Sequence, residues 1–326
     1  MTLLLGDADV QAVLEWRPAV AALRAAYAAT ADGSRFPGRL IARGDGTFLR
    51  VLPGVPDGGG LMGTKIIAAA PKAGRVSYLI ALFDQATAEL VALLDGNSVT
   101  GYRTAATSAL AADLLAVPGP LAVGVLGSGF EAGKHLRAVA AVRDIAFARV
   151  YSPRAASRER FAAEHADLPF PVALVTSPAA AVADTALVLC AARSHDESPV
   201  LLGRWLAPGM TVVSVGSTVP EQREVDAETI ARADVLVADV LDEVLHDTGD
   251  LIAARADGVS VDGRAVALVD LVSGACAGRT SDGQIALYKS VGSAVQDLAV
   301  AAMCVRAALD GGTGTRAAIP VEVVLK

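Results

Sequence analysis

Apolar positions along the chain change their period twice. From about Val10 to Thr30 they recur at helical spacing through Val10, Leu14, Ala21 and Tyr27. Asp7 and Asp9 are candidate N-caps, and Pro18 marks a second start or a kink. Strand-like runs follow at 47–52 and 61–69. The runs 78–83 and 90–95 flank Asp84-Gln85-Ala86-Thr87-Ala88-Glu89, an apolar hairpin with a polar connection. The first third is therefore expected to be mainly antiparallel sheet. A helix is expected over about 101–116, and Val117-Pro118-Gly119-Pro120 ends it as a linker.

Beyond that linker the pattern becomes short apolar runs separated by helical segments. Strands are expected at 121–126, 146–151, 172–175, 185–190, 211–215, 235–238 and 285–288, with helices at 157–165 and 292–309. Gly311-Gly312 stops the last helix. Such alternation implies a doubly wound parallel sheet. The expected fold class is α/β: a Rossmann domain over 118–299, and a second α+β domain of mainly antiparallel strands over 1–117, completed by about 300–326.

A chain of 326 residues, 53% hydrophobic, has ample core for two domains. Its net charge of −7 and scattered Lys and Arg exclude a basic nucleic-acid face. No uncharged apolar run reaches the ~18 residues of a membrane span. Met1 to Asp9 carries no basic region, so a cytoplasmic protein with neither nucleic acid nor membrane as partner is expected. Cys190, Cys276 and Cys304 are far apart and read as reduced thiols. The four histidines (His135, His165, His195 and His246) share no ligand spacing, so no metal is expected.

The strongest local signal is Gly127-Ser128-Gly129-Phe130-Glu131-Ala132, where an apolar strand gives way to a helix. Gly127 permits the tight turn, Gly129 lets backbone approach a pyrophosphate, and Ala132 lets helix and strand pack closely. The helix N-terminus adds free N–H groups for the phosphates. The next strand ends at Tyr151-Ser152-Pro153-Arg154, where a site selective for NAD usually places an acid. Ser152, Arg154, Ser157 and Arg158 instead either surround a 2′-phosphate or, in the case of the two arginines, simply begin a solvated helix face. NADP(H) is the favoured cofactor, with NAD(H) the alternative.

Lys65 stands inside an apolar run, either as a paired functional lysine or as an outward-facing edge residue. Arg103 is read as opening the helix Arg103-Thr104-Ala105-Ala106, either as an exposed arginine or as a site where guanidinium and free N–H groups hold an anion together. Arg39 says nothing by itself. No nucleophile elbow is present, so hydrolase chemistry lacks support.

Together these segments resemble the ornithine cyclodeaminase/μ-crystallin family. The motifs are Gly63-Thr64-Lys65, the run from Gly96 through Arg103-Thr104-Ala105-Ala106 to Ala109, the glycine loop, Val215-Gly216-Ser217, Lys289-Ser290-Val291-Gly292 and Gln296-Asp297-Leu298-Ala299. The resemblance implies a homodimer formed through the second domain. It implies that Arg39, Lys65 and Arg103 converge on a substrate carboxylate. It also implies that Thr104, the glycine loop, Ala191, Ala192, Arg193, Val215, Gly216, Ser290, Val291 and Gly292 line the cofactor. True cyclodeaminases carry an aspartate where this chain has Ser217, followed by Thr218. A serine is no general base near neutral pH without an activator.

The resemblance thus implies an NAD(P)H-dependent reductase of imines of 2-oxo acids, or an amino-acid dehydrogenase in reverse. Its partners are a small carboxylate-bearing imine, a 2-oxo acid or an amino acid. Lys65 would supply the proton, its pKa lowered by neighbouring cations, with Ser217 or Thr218 relaying through water. The alternatives are a cyclodeaminase whose base moves to Glu224 or Asp226, and a crystallin-like binding protein without turnover.

Overall fold

The structure is a computed structural model that describes every residue except Ala31, Asp32, Arg193, His195, Glu322, Leu325 and Lys326. In chain order it runs β1 (Thr2–Leu5), α1 (Asp7–Val13), α2 (Trp16–Ala29), β2 (Leu40–Gly44), β3 (Thr47–Gly54), β4 (Leu61–Ala70), β5 (Arg75–Asp84), β6 (Leu90–Asp95) and α3 (Gly96–Leu115). Then come β7 (Leu121–Leu126), α4 (Phe130–Val142), β8 (Ile145–Tyr151), α5 (Ala155–Glu164), β9 (Val172–Leu174), α6 (Pro178–Val182), β10 (Leu187–Cys190), β11 (Thr211–Ser214) and α7 (Ala227–Arg232). The chain closes with β12 (Val235–Ala238), α8 (Leu241–Asp247), α9 (Gly249–Ala256), β13 (Ala265–Ala267), α10 (Leu268–Ser273), β14 (Ala286–Lys289), α11 (Ala294–Gly311) and β15 (Thr315–Ala317). It divides into two compact units, Met1–Thr107 with Ser293–Lys326, and Ser108–Gly292, the division falling within α3.

In the first unit seven strands form one sheet in the order β15-β1-β6-β5-β4-β3-β2. All its pairs are antiparallel except β1 with β6, which is parallel. Leu52, Lys65, Ile80, Leu94 and Leu5 stand opposite one another in a single row, and every one is buried. Residues opposite each other share a face, so this row defines the inner face. Helix α11 packs against β3, β4, β5 and α2, and Ala294 at its start joins Leu52 and Ile67 in a small core.

Two expectations on helix starts are corrected here, and the alternatives at Pro18 are resolved in favour of a second start. Helix α1 begins at Asp7 rather than near Val10; its N-cap is Gly6, whose N–H donates to Asp9 Oδ2 at 2.9 Å. Pro18 falls in the first turn of the separate helix α2, where a missing N–H costs nothing. Helix α3 starts at Gly96, five residues before the expected Gly101, because Asp95 Oδ1 accepts from the Ser98 N–H at 2.9 Å as an N-cap does.

In the second unit eight strands are all parallel, in the order β13-β12-β14-β11-β10-β7-β8-β9. The chain runs outward from β7 through β8 to β9, then returns to lay β10 on the other side of β7. That reversal between β7 and β10 is a topological switch point, the place where open α/β sheets bind ligands. The strand residues of β10, β11 and β12 are buried throughout, as a sheet covered on both faces requires. No helix among the described residues is long and apolar enough to cross a membrane.

Candidate active site

The inner face of the first sheet carries a charge cluster. Lys65 sits on β4, an internal strand, and is 1% exposed, so the edge-strand reading is excluded. Its Nζ donates to Asp297 Oδ1 at 2.8 Å and lies 3.4 Å from Thr100 Oγ1. Arg103 Nε lies 2.9 Å from the same Asp297 oxygen. Arg103 Nη1 donates to Gln296 Oε1 at 2.5 Å, and Gln296 Nε2 donates to the Tyr27 hydroxyl at 2.9 Å. Asp297 is fully buried, and its Oδ2 accepts no hydrogen bond. Two consecutive residues of α11 thus grip both cations, because Gln296 and Asp297 open the helix just where it crosses β4.

Burial is the main force on Lys65 and lowers its pKa from 10.5 to about 8. Asp297 opposes that, while Arg103 and Arg50 add smaller downward pushes. The lowered pKa expected for Lys65 is present, but desolvation rather than neighbouring cations is its chief cause.

Arg103 occupies a different place from the one expected. With α3 beginning at Gly96, Arg103 lies two turns inside the helix, away from its free N–H groups. Its anchor is the Gln296–Asp297 pair instead. Arg39 immediately precedes Leu40, which pairs with Val51; one further step on that register sets it across from Leu52, the partner of Lys65. Arg39 is half-buried. Arg50, two residues before Leu52 on the same strand face, adds a cation that the sequence did not single out. Thr104 is half-buried, with its hydroxyl donating to the Thr100 carbonyl at 2.8 Å.

In the second unit, Gly127 follows β7 at φ +119°, a conformation that disfavours side chains. A Cβ there would lie 2.6 Å from the Ala191 carbonyl oxygen at the end of β10. Gly129 is the N-cap of α4, and a Cβ on it would meet nothing within 4 Å. One glycine is therefore required by the protein's own backbone, and the other leaves open space before a helix N-terminus. That combination fits a pyrophosphate. Ser128 is half-buried, Phe130 and Glu131 form the first turn, and Ala132 is fully buried against the sheet. Asp239, at the end of β12, accepts from the Ser290 hydroxyl at 2.6 Å and from the Val291 and Gly292 amides at 3.0 and 2.8 Å. This fixes the segment after β14 whose Ser290, Val291 and Gly292 were expected at the cofactor.

At the end of β8, Ser152 and Ser157 are buried and Arg154 is exposed at the N-cap of α5. Arg158 turns back, its Nη1 donating to the Ser152 carbonyl at 2.5 Å. Ala191, Ala192, Val215 and Gly216 lie half-buried just beyond β10 and β11. Arg193 and His195 lie outside the described residues.

Ser217 does not match the relay expected of it. It is fully buried, and its hydroxyl donates to the Gln222 carbonyl at 2.6 Å. Thr218 makes a 3.2 Å bond to Gln222 Oε1. Asp226 is spent as the N-cap of α7, and Glu224 is buried among backbone amides. Neither carboxylate stands free as a displaced base.

Four similarities to known proteins bear on this arrangement. The model of the ornithine cyclodeaminase/mu-crystallin family matches residues 4–312. The chain is 31% identical over 275 residues to a Δ1-pyrroline-2-carboxylate reductase of Bacillus cereus, covering 82% of this chain and 83% of that one. It is 29% identical to the mouse ketimine reductase mu-crystallin over 78% of each chain. Its fold matches the Thermococcus litoralis Δ1-pyrroline-2-carboxylate reductase, solved with NADH and L-proline. The TM-score is 0.90 at 29% identity, covering 97% of this chain and all of that one.

Proposed function

The chain belongs to the ornithine cyclodeaminase/mu-crystallin family, and from that premise we propose that it is an NAD(P)H-dependent reductase of imines of 2-oxo acids, cyclic ketimines such as pyrroline- or piperideine-2-carboxylate foremost. The observation that carries this reading is the buried Lys65–Asp297–Arg103 cluster.

The protein's part in the reaction follows from that cluster. Arg103 commits Nε and Nη1 to Asp297 and Gln296, which holds the guanidinium rigid and leaves Nη2 for a substrate carboxylate. Arg39, one strand step beyond Leu52, is assigned to the same carboxylate. The glycine loop, Thr104, Ala191, Ala192, Val215, Gly216 and the Ser290–Gly292 segment would hold the dinucleotide. When bound, the reduced nicotinamide supplies a hydride to the imine carbon.

The imine nitrogen must gain a proton, and Lys65 is assigned as its source. With its pKa near 8, Lys65 is mostly charged at neutral pH yet a far better acid than an exposed lysine. Giving up the proton leaves no orphaned ion: Asp297 remains paired with Arg103. The compensation built into α11 therefore suits a lysine that alternates between charged and neutral forms. Ser217, locked on Gln222, takes no part.

We assign NADP(H) as the preferred cofactor, because 151–154 offers no carboxylate for a ribose hydroxyl and Arg154 is exposed beside Ser152. Leu40 and Leu79 are exposed in a row with Val51 and Ile66 on the face of the first sheet away from Lys65. That face is assigned to a homodimer contact.

The test is oxidation of NADPH and NADH by the purified chain with a panel of cyclic ketimines, and of 2-oxo acids with ammonia or methylamine. The reading expects turnover with at least one imine and a preference for NADPH. Silence across the panel, with ammonia released from ornithine or lysine, would replace the reductase by a cyclodeaminase.

A further inference from the structure

Glu224 lies between the ends of β10 and β11 and is fully buried. Its Oε1 accepts from the Ala192 amide at 3.0 Å. Its Oε2 accepts from the Gly216 amide at 2.8 Å and the Ser214 hydroxyl at 2.6 Å. One carboxylate thus ties together two loops that follow neighbouring strands. The fit is close: a Cβ on Gly216 would lie 2.4 Å from Glu224 Oε1 and 2.8 Å from the Ala192 carbonyl oxygen.

Among the described residues, the charged groups around it are Lys289 and Asp250, both fully buried, and Arg223, which is half-buried. Lys289, at the end of β14, is 2.8 Å from Asp250 of α9, and its Nζ donates to Ser214 Oγ at 2.9 Å. Asp250 Oδ1 in turn accepts from the Glu224 amide at 2.8 Å and lies 3.9 Å from Arg223 Nε. Cys190, at the end of β10, is a further titratable neighbour among the described residues. Among the described residues, Lys289 and Arg223 both face Asp250, so Glu224 is held by two amides and a hydroxyl rather than by an ion pair of its own. Burial pushes the Glu224 carboxyl up to about 7, against the pull of Lys289, Ser214 and the Gly216 amide.

We propose that Glu224 is a positioning residue for the dinucleotide: its ionised carboxylate holds the Ala192 and Gly216 loops in the shape that receives the nicotinamide, and protonation releases one of them. The proposal rests on the cofactor reading above. A carboxylate accepts strongly at both oxygens, whereas a protonated carboxyl must donate from one of them. The O–H then faces an amide N–H that also donates, so one of the two loops loses its tether. The midpoint lies near pH 7, so the hold is nearly complete about one unit above it, half lost at it and nearly gone about one unit below.

The experiment uses the full chain and two readouts. Amide hydrogen exchange of the cofactor-free protein, corrected for intrinsic rates, follows Ala192 and Gly216 between about pH 6 and 8.5. Fluorescence titration with NADH and NADPH follows affinity over the same range. In the wild type, protection at one of the two amides and dinucleotide affinity should each fall about fivefold toward the acid end, the worth of one hydrogen bond. Glu224→Gln should sit at the weakened level and be flat with pH, with KM for the dinucleotide raised more than kcat is lowered. Ser214→Ala, which removes one bond to the carboxylate, should move the wild-type midpoint to higher pH, and it keeps the test valid should Glu224→Gln fold poorly. Wild-type protection and affinity that stay flat across the range would overturn the Glu224 proposal alone. No binding of either dinucleotide at any pH would overturn the cofactor reading beneath it.

Discussion

Asp297→Asn removes one charge from the centre of the substrate cluster and keeps its shape. Asp297 Oδ1 stands 2.8 Å from Lys65 Nζ and 2.9 Å from Arg103 Nε, with all three residues buried. Removing one partner of a buried ion pair costs about 3–5 kcal/mol, because the survivors stay buried and uncompensated. The asparagine carbonyl still accepts a hydrogen bond, so the lower end, about 3 kcal/mol, applies. That corresponds to a drop in Tm of roughly 6–12 °C. The chemical consequence is more specific. Asp297 is the main influence holding the Lys65 pKa up near 8; without it that pKa should fall by about 1–3 units, the reach of an adjacent opposite charge. The sign follows directly. Lys65 must be charged to give a proton, so imine reduction is flat below the Lys65 pKa and declines as the pH rises through it. In the wild type the alkaline limb of kcat/KM should lie near pH 8, and in Asp297→Asn it should move toward acid. Stopped-flow or steady-state rates across pH, with thermal unfolding alongside, measure both effects. A variant that loses stability but keeps its alkaline limb in place would refute Lys65 as the proton source.

Other outcomes follow from the same geometry. Lys65→Met should fold, since Asp297 keeps its pairing with Arg103. It should lower kcat for imine reduction by about 10²–10⁴-fold while leaving the Kd for NADPH unchanged by fluorescence titration. Gly129→Val should leave the Tm near wild type, because its Cβ meets no protein atom within 4 Å. It should still weaken dinucleotide binding by more than about tenfold, since the space is that of the pyrophosphate. Arg154→Ala should cost NADPH about tenfold in affinity, one charge-assisted hydrogen bond, and leave NADH unaffected, as paired titrations would reveal.

What the sequence disclosed and what it hid follow the range of the interactions. The glycine loop was readable because its chemistry lies within six consecutive residues: a positive-φ turn, an open N-cap and a small helix residue. The β5–β6 hairpin was readable for the same reason. The start of α3 was not, since Asp95-Gly96-Asn97-Ser98 has the composition of a turn and only the Asp95–Ser98 bond reveals a cap. That misplacement carried Arg103 with it. Strands β1, β13 and β15 hold three or four residues each and are fixed by distant partners, so no local period marks them. Asp297 lies 232 residues from Lys65; its motif was visible in the family resemblance, but its role depends on α11 crossing β4. Glu224 was weighed only as a displaced base, because its role in tying the ends of β10 and β11 together depends on residues brought in from both strands.

The central claim is hydride transfer to the carbon of a C=N bond. Its most direct measurement supplies the protein with dinucleotide carrying deuterium at both C4 positions of the reduced ring, together with a cyclic ketimine carboxylate. Mass spectrometry and NMR then read the product. Imine reduction predicts one deuterium, retained at C2 of the cyclic amino acid, with one dinucleotide oxidised per product. A product without deuterium, or ammonia released from a diamino acid with no net change in the dinucleotide, would contradict the account.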